Sequence, residues 1–138
     1  MEVEPQLIAQ FVTTGKARLI YRHLAQIGPE SLVSAEAMHC AGDQGKYWEM
    51  RRTLYERQND LLSTGSIQGG LEFIAGDLGL DKQKFNSCLT SHTYQAAVQA
   101  DIDSSLAAGI RQRPVFEING QRLVGVHRLE DFAALINR

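Results

Sequence analysis

Residues Arg113-Pro114-Val115-Phe116-Glu117-Ile118-Asn119-Gly120 constrain this chain more than any other stretch. Val115, Phe116 and Ile118 are strand formers, and Asn119-Gly120 is the strongest short signal for a hairpin turn. Gln121-Arg122-Leu123-Val124-Gly125-Val126 then runs back as the partner strand. Pro114 has no amide hydrogen to give to a ladder, so it belongs at the start of its strand. An X-Pro bond at such a place is also a candidate for the cis isomer, uncommon as that isomer is in folded proteins.

Most of the remaining pattern is helical. Leu7, Ile8, Phe11 and Val12 fall at helical spacing after Pro5, with Gly15 just past their end. Ala17 to His23 predicts a strand. Pro29-Glu30-Ser31 opens a helix running to about Ala41, and Lys46 to Arg57 a second, with Tyr47, Met50, Leu54 and Tyr55 as its inward candidates. Ser63 to Ser66 is the loosest stretch and predicts a loop. Leu71 to Leu78 predicts a third helix. Asp81 can cap a fourth containing Phe85, Cys88 and Leu89. Ser91 or Thr93 opens a long fifth, ended by Gly109. Leu129, Phe132, Leu135 and Ile136 make a closing amphipathic helix. The order of helix, strand, several helices, two hairpin strands and a helix predicts an α/β chain with a helical insert. Its sheet lacks the opening strand such a sheet would normally have.

With 138 residues the chain is long enough for one compact domain. Its net charge of −2 provides no basic footprint for nucleic acid. No apolar run approaches the ~20 residues of a membrane span. Met1 to Pro5 shows neither a positive n-region nor an apolar h-region, so no signal peptide is expected. As written the chain is expected in the cytoplasm. There are two cysteines, Cys40 and Cys88, which allow one disulfide at most and cannot form a Cys-x-x-Cys.

Several blocks match one known family. Gly15-Lys16-Ala17-Arg18-Leu19-Ile20-Tyr21-Arg22-His23 resembles the "GKVRLVYRHFP" strand of DsbA-like thioredoxin-fold proteins, the bacterial thiol-disulfide oxidoreductases. Cys40 to Glu49 is similar to their "CAGEQGKFWE", Phe85 to Leu89 to their "F..CL", and Gly109 to Gly120 to their "GVxGTPTFFING". The blocks occur in family order over nearly the whole chain. The resemblance implies a single thioredoxin-fold domain over residues 1–138, with a helical insert over about 30–109. It implies that Arg113 and Pro114 occupy the family's cis-proline loop and bind extended or unfolded polypeptide. It also implies that Cys40 and Cys88 match the structural disulfide of some members, two buried free thiols being the alternative. Members of the family are usually exported.

Two features depart from that family. Its Cys-x-x-Cys and central strand precede the helix that here holds Pro5 and Leu7, so no residue of this chain is assigned a catalytic role. Arg113 stands where the family usually has Thr or Val. Exchange chemistry needs a thiolate, which the family makes at a helix N-terminus. An Arg before the proline would attract anions and favour a nearby thiolate; a solvated surface Arg is the plainer alternative.

No metal or cofactor is expected. Cys88 and His92 are spaced i, i+4, but adjacent His39 and Cys40 diverge on a helix and complete a zinc site poorly. His23 is either a pH-sensitive group or, more simply, a packed strand-end histidine. Asp101 and Asp103 flank Ile102 and are expected on a solvated surface. Tyr47 and Trp48 are expected as core and rim aromatics.

If the sheet follows the family, the strand between 17–23 and 114–118 is missing and leaves unpaired edges. Three outcomes are open: the two strands pair directly, two copies cover each other, or the sequence is part of a longer one. Self-association as a homo-oligomer is the expectation. Three functions follow. The first is a disulfide-exchange family domain, inactive as written. The second is a non-catalytic peptide-binding or self-assembling module. The third is a glutathione-dependent transferase or isomerase on the related fold.

Overall fold

The computed structural model describes residues 2–138; Met1, part of the segment read for a leader, lies outside the described residues. Helix α1 spans Val3–Leu7 and continues as a π-helical turn over Ile8–Val12. Next come α2 (Pro29–Gly42), α3 (Tyr47–Glu56), α4 (Gln58–Ser63), α5 (Ile67–Asp77), α6 (Lys82–Thr90) and α7 (Gln95–Ala107). Strands β1 (Val115–Ile118) and β2 (Gln121–Val124) precede α8 (Leu129–Ile136). The class is α/β, with a helical body and a two-stranded antiparallel sheet.

The chain divides into two compact units. One joins the segment up to Arg22 with Ser105–Arg138; the other is His23–Ser104. In the first, the hairpin pairs Val115 with Val124 and Ile118 with Gln121. Its turn needs positive φ at both central residues, and Asn119 (+47°) and Gly120 (+79°) provide it. Asn119 also donates from Nδ2 to the Leu135 carbonyl at 2.9 Å, tying the turn to α8. Phe116 meets Phe132 of α8 edge-on, with ring centroids 4.8 Å apart.

The expected strand over 17–23 is corrected. Burial does alternate there, with Arg18, Ile20 and Arg22 exposed and Ala17, Leu19 and Tyr21 more sheltered. A strand, however, is a hydrogen-bonded pairing and not a pattern alone. The one sheet among the described residues contains β1 and β2 only. Residues 17–23 therefore do not pair directly with 114–118, which removes the first of the three outcomes above.

In the second unit, α2 packs against α3, α5 and α6. From Ala35 to Ala41 its residues are buried, apart from a half-buried His39, so this segment is covered on every side. Met50, Leu71, Ile74, Phe85 and Val98 are the largest fully buried side chains around it. Asp81 accepts from Lys84 N at 3.0 Å and Ser66 from Gly69 N at 3.0 Å, each satisfying an opening amide of its helix. Tyr55, an inward candidate, is instead 41% exposed. It lies under the Arg51 guanidinium, 5.3 Å from the ring centroid.

Helix α5 begins four residues earlier than the periodicity predicts, at Ile67 instead of Leu71. Gly69-Gly70 reads as a breaker, since each glycine costs about 1 kcal/mol in a helix interior. The fold needs Gly70 nonetheless, because a Cβ there would sit 2.6 Å from the Leu61 carbonyl oxygen of α4. We expect Gly70→Ala to destabilise the protein by roughly 1–3 kcal/mol despite alanine's better helix propensity. Urea denaturation checks this; an unchanged or raised midpoint refutes the packing argument.

Candidate functional site

The Arg113-Pro114 peptide is cis, and both residues are exposed at the head of β1. The Pro114 carbonyl accepts from Gly125 N at 2.9 Å, which fixes the loop to the end of β2. Two other arginines face the last carbonyls of α7. Arg111 donates to Leu106 O at 2.8 Å, and Arg122 to Ala108 O at 2.9 Å. Cations at a helix C-terminus satisfy orphan carbonyls and suit the negative end of the dipole. Arg122 also holds Glu117 across the hairpin at 2.6 Å. A shallow cleft of about 120 Å³ lies beside the loop, between Gly109-Ile110-Arg111-Gln112, Val115 and the Arg122–Val124 edge. The other edge of β1 carries no strand among the described residues. An extended chain could add to it by backbone hydrogen bonding.

Cys40 of α2 and Cys88 of α6 form a disulfide, with Cα atoms 5.8 Å apart. Cys40 is 1% exposed. The Cys88 sulfur lies 3.9 Å from the Asp43 carboxylate. The bond joins two helices of the same unit, α2 and α6, across a buried and a half-buried position. Both thiols of the chain are consumed by it, and the four-ligand zinc arrangement with His39 and His92 has no thiolate to offer.

Around the same helix stands a network that the sequence reading did not assemble. His23 is 2% exposed. Its Nε2 lies 3.1 Å from His39 Nε2 and 3.2 Å from the Tyr47 hydroxyl, and its backbone amide donates to Asp101 at 3.1 Å. Tyr94 stacks on His39 at 4.9 Å and donates its hydroxyl to Asp43. At most one of the facing Nε2 atoms can carry a proton, since two N–H groups would point at each other. Burial, then the His39 charge, pushes His23 down to about 4, against a smaller opposing pull from Asp101. His39 is also lowered, chiefly by burial and against Asp101 and Asp43. Burial pushes the Tyr47 hydroxyl up to about 12.

Asp101 is thus not the plainly solvated residue expected, because it receives the His23 amide. Trp48 is a rim aromatic, 41% exposed, with Arg51 over its face at 5.7 Å. His23 was legible as a packed histidine. Its partners were not, being 16 and 24 positions away. One signal was available: Glu36, His39 and Asp43 fall at i, i+3 and i+7, a polar stripe along a helix otherwise rich in small and apolar residues.

The thioredoxin family model matches residues 1–138, so this chain belongs to the thioredoxin family. It is similar to a Na(+)/H(+) antiporter NhaA 1 of Salinispora arenicola, at 28% identity over 98% of this chain and 20% of that protein. A Na(+)/H(+) antiporter NhaA of Herminiimonas arsenicoxydans is 29% identical over 86% of this chain and 18% of its own length. The chain therefore spans about a fifth of the curated relatives it matches. Among the described residues, no helix is long and apolar enough to cross a membrane.

Two measurements test the site. The disulfide closes a span of 48 positions. Its loss should cost on the order of 4 kcal/mol in the chain-entropy model. A Cys40→Ser/Cys88→Ser variant should therefore melt well below the parent, whereas matched melting curves would show the bond to be dispensable. For pH, His23 has a folded pKa near 4 against 6.5 for an unperturbed histidine. The unfolded chain takes up the proton first, so stability present above pH 6.5 is lost as pH falls towards 4. The loss should be on the order of 3 kcal/mol. His23→Leu should flatten that slope in urea titrations; an equally steep slope in the variant excludes His23 as its source.

Proposed function

We propose that this chain carries the polypeptide-binding loop of a DsbA-type thiol-disulfide exchange domain. The observation that carries this reading is the exposed Arg113-Pro114 loop, set at the head of a strand with an open edge in a thioredoxin-family chain. The loop's position supports backbone pairing with an extended client, and Arg113 favours clients with acidic character. On this reading the His23–Ser104 unit is the helical insert, with Cys40–Cys88 as its internal cross-link.

Exchange requires a thiolate attacking a disulfide. Both cysteines of this chain are already joined to each other. The activity of this polypeptide by itself is therefore binding and not turnover. For the relatives named as antiporters, we read the aligned fifth as their thioredoxin-like part. Ion exchange is not carried over to this chain by that match. Exposed Ile20, Val124 and Val126 supply apolar surface of the kind self-association would use.

Fluorescence anisotropy with labelled extended peptides tests the reading. Saturable binding is expected, weakened about tenfold by Pro114→Ala, the equivalent of about 1.4 kcal/mol. Equal binding by the folded variant would sink the assignment of the loop. Insulin reduction should proceed no faster than without protein. Turnover abolished by a thiol-blocking reagent would overturn the binding-only conclusion.

A further inference from the structure

Helix α2 and the start of α7 leave a cleft of about 200 Å³ in the His23–Ser104 unit. Pro29, Leu32, Val33 and Val98 give it hydrocarbon, and Glu36, His92, Gln95 and Gln99 give it polar groups. Glu36 is only 3% exposed. A buried carboxylate needs a counter-charge or several donors. It offers about four acceptor positions when ionised. Among the described residues its hydrogen-bonding partner is the Nδ1 atom of His92, 3.3 and 3.2 Å from its two oxygens. One shared donor leaves most of that acceptor capacity unused, on a residue that lines the cleft.

His92 is itself unusual. Its φ is +50°, in the left-handed region that few non-glycine residues occupy. The turn keeps it there through His92 N to Leu89 O and Gln95 N to His92 O, both 3.1 Å. Its side chain is 54% exposed, so it can leave Glu36 for solvent without unpacking a core. A residue held in a sparsely populated conformation beside a cleft is the kind of outlier from which a functional role is inferred.

A buried carboxylate beside hydrocarbon and the Gln95 and Gln99 side chains complements an ammonium group on a short alkyl arm, which brings three donors and a positive charge. The volume is below the roughly 300–1,000 Å³ of sites for drug-sized ligands, so the occupant has few heavy atoms. We propose that this cleft binds a small primary alkylamine as its ammonium ion, with Glu36 as the anchoring carboxylate and His92 as a displaceable partner. This site is independent of the Arg113-Pro114 loop and of the function proposed for it.

The test is an amide-resolved NMR titration of the full chain with n-butylamine, its neutral isostere n-butanol, and Nα-acetyl-lysine methylamide. Saturable shifts centred on Leu32, Val33, Glu36 and Val98 are expected with butylamine. Butanol should bind at least about tenfold more weakly, as loss of a charge-assisted hydrogen bond requires. Glu36→Gln should weaken butylamine by a similar factor. Leu32→Phe, which fills the cleft and leaves the carboxylate in place, should do the same and decides the matter if Glu36→Gln fails to fold. Equal binding of butanol, unsaturable shifts, or parent-like affinity in folded Leu32→Phe would each overturn the proposal. Tighter binding of the lysine derivative than of butylamine would overturn its assignment to a free amine.

Discussion

The helical unit depends on keeping α2 surrounded. Helix α2 has no single apolar stripe; small and apolar residues run around it, with Glu36 and His39 among them. Such a helix is stable only when other elements cover every side. Helices α3, α5 and α6 do so, and the Cys40–Cys88 bond ties α6 to α2 within the covered region. The cross-link matters physically because these neighbouring helices are short, from 9 to 11 residues, and helices of that length are marginal alone in water.

Surrounding a helix in this way also forces its polar residues to find partners. Glu36 meets His92, His39 meets His23 and Tyr94, and Asp43 meets Tyr94. The three belong to one helical stripe, so two separate segments of chain, one at His23 and one at His92–Tyr94, are drawn to one line along α2. Burial disfavours the charged form of both His23 and His39, against the pull of Asp101. Polar groups that would be idle on a surface helix here hold parts of the unit together.

The other unit follows a different logic. A two-stranded hairpin is marginal by itself, and this one leans on α8 through Phe116 against Phe132 and Asn119 to Leu135. Arginines 111 and 122 close the end of α7. The Arg113-Pro114 loop is thereby presented on anchored neighbours while remaining exposed. An exposed loop on a fixed scaffold is the arrangement that the proposed binding role calls for.

Sequence alone determined the hairpin, its Asn119-Gly120 turn, the Asp81 cap and the closing helix, because each is set by local backbone chemistry. It also marked the family, through blocks that need no fold to be seen. It placed a strand at 17–23 because alternation is local, whereas pairing requires a neighbour that alternation cannot supply. It passed over α4 and the first turn of α5 because Gly69-Gly70 looks unfavourable until the close approach of Leu61 is known. Only the tertiary structure decided which histidines face each other, that Asp101 serves the His23 amide, and that Glu36 is buried beside a cleft. Those contacts join residues 16 to 78 positions apart, and their energies come from burial and partner geometry, which have no local signature in the chain.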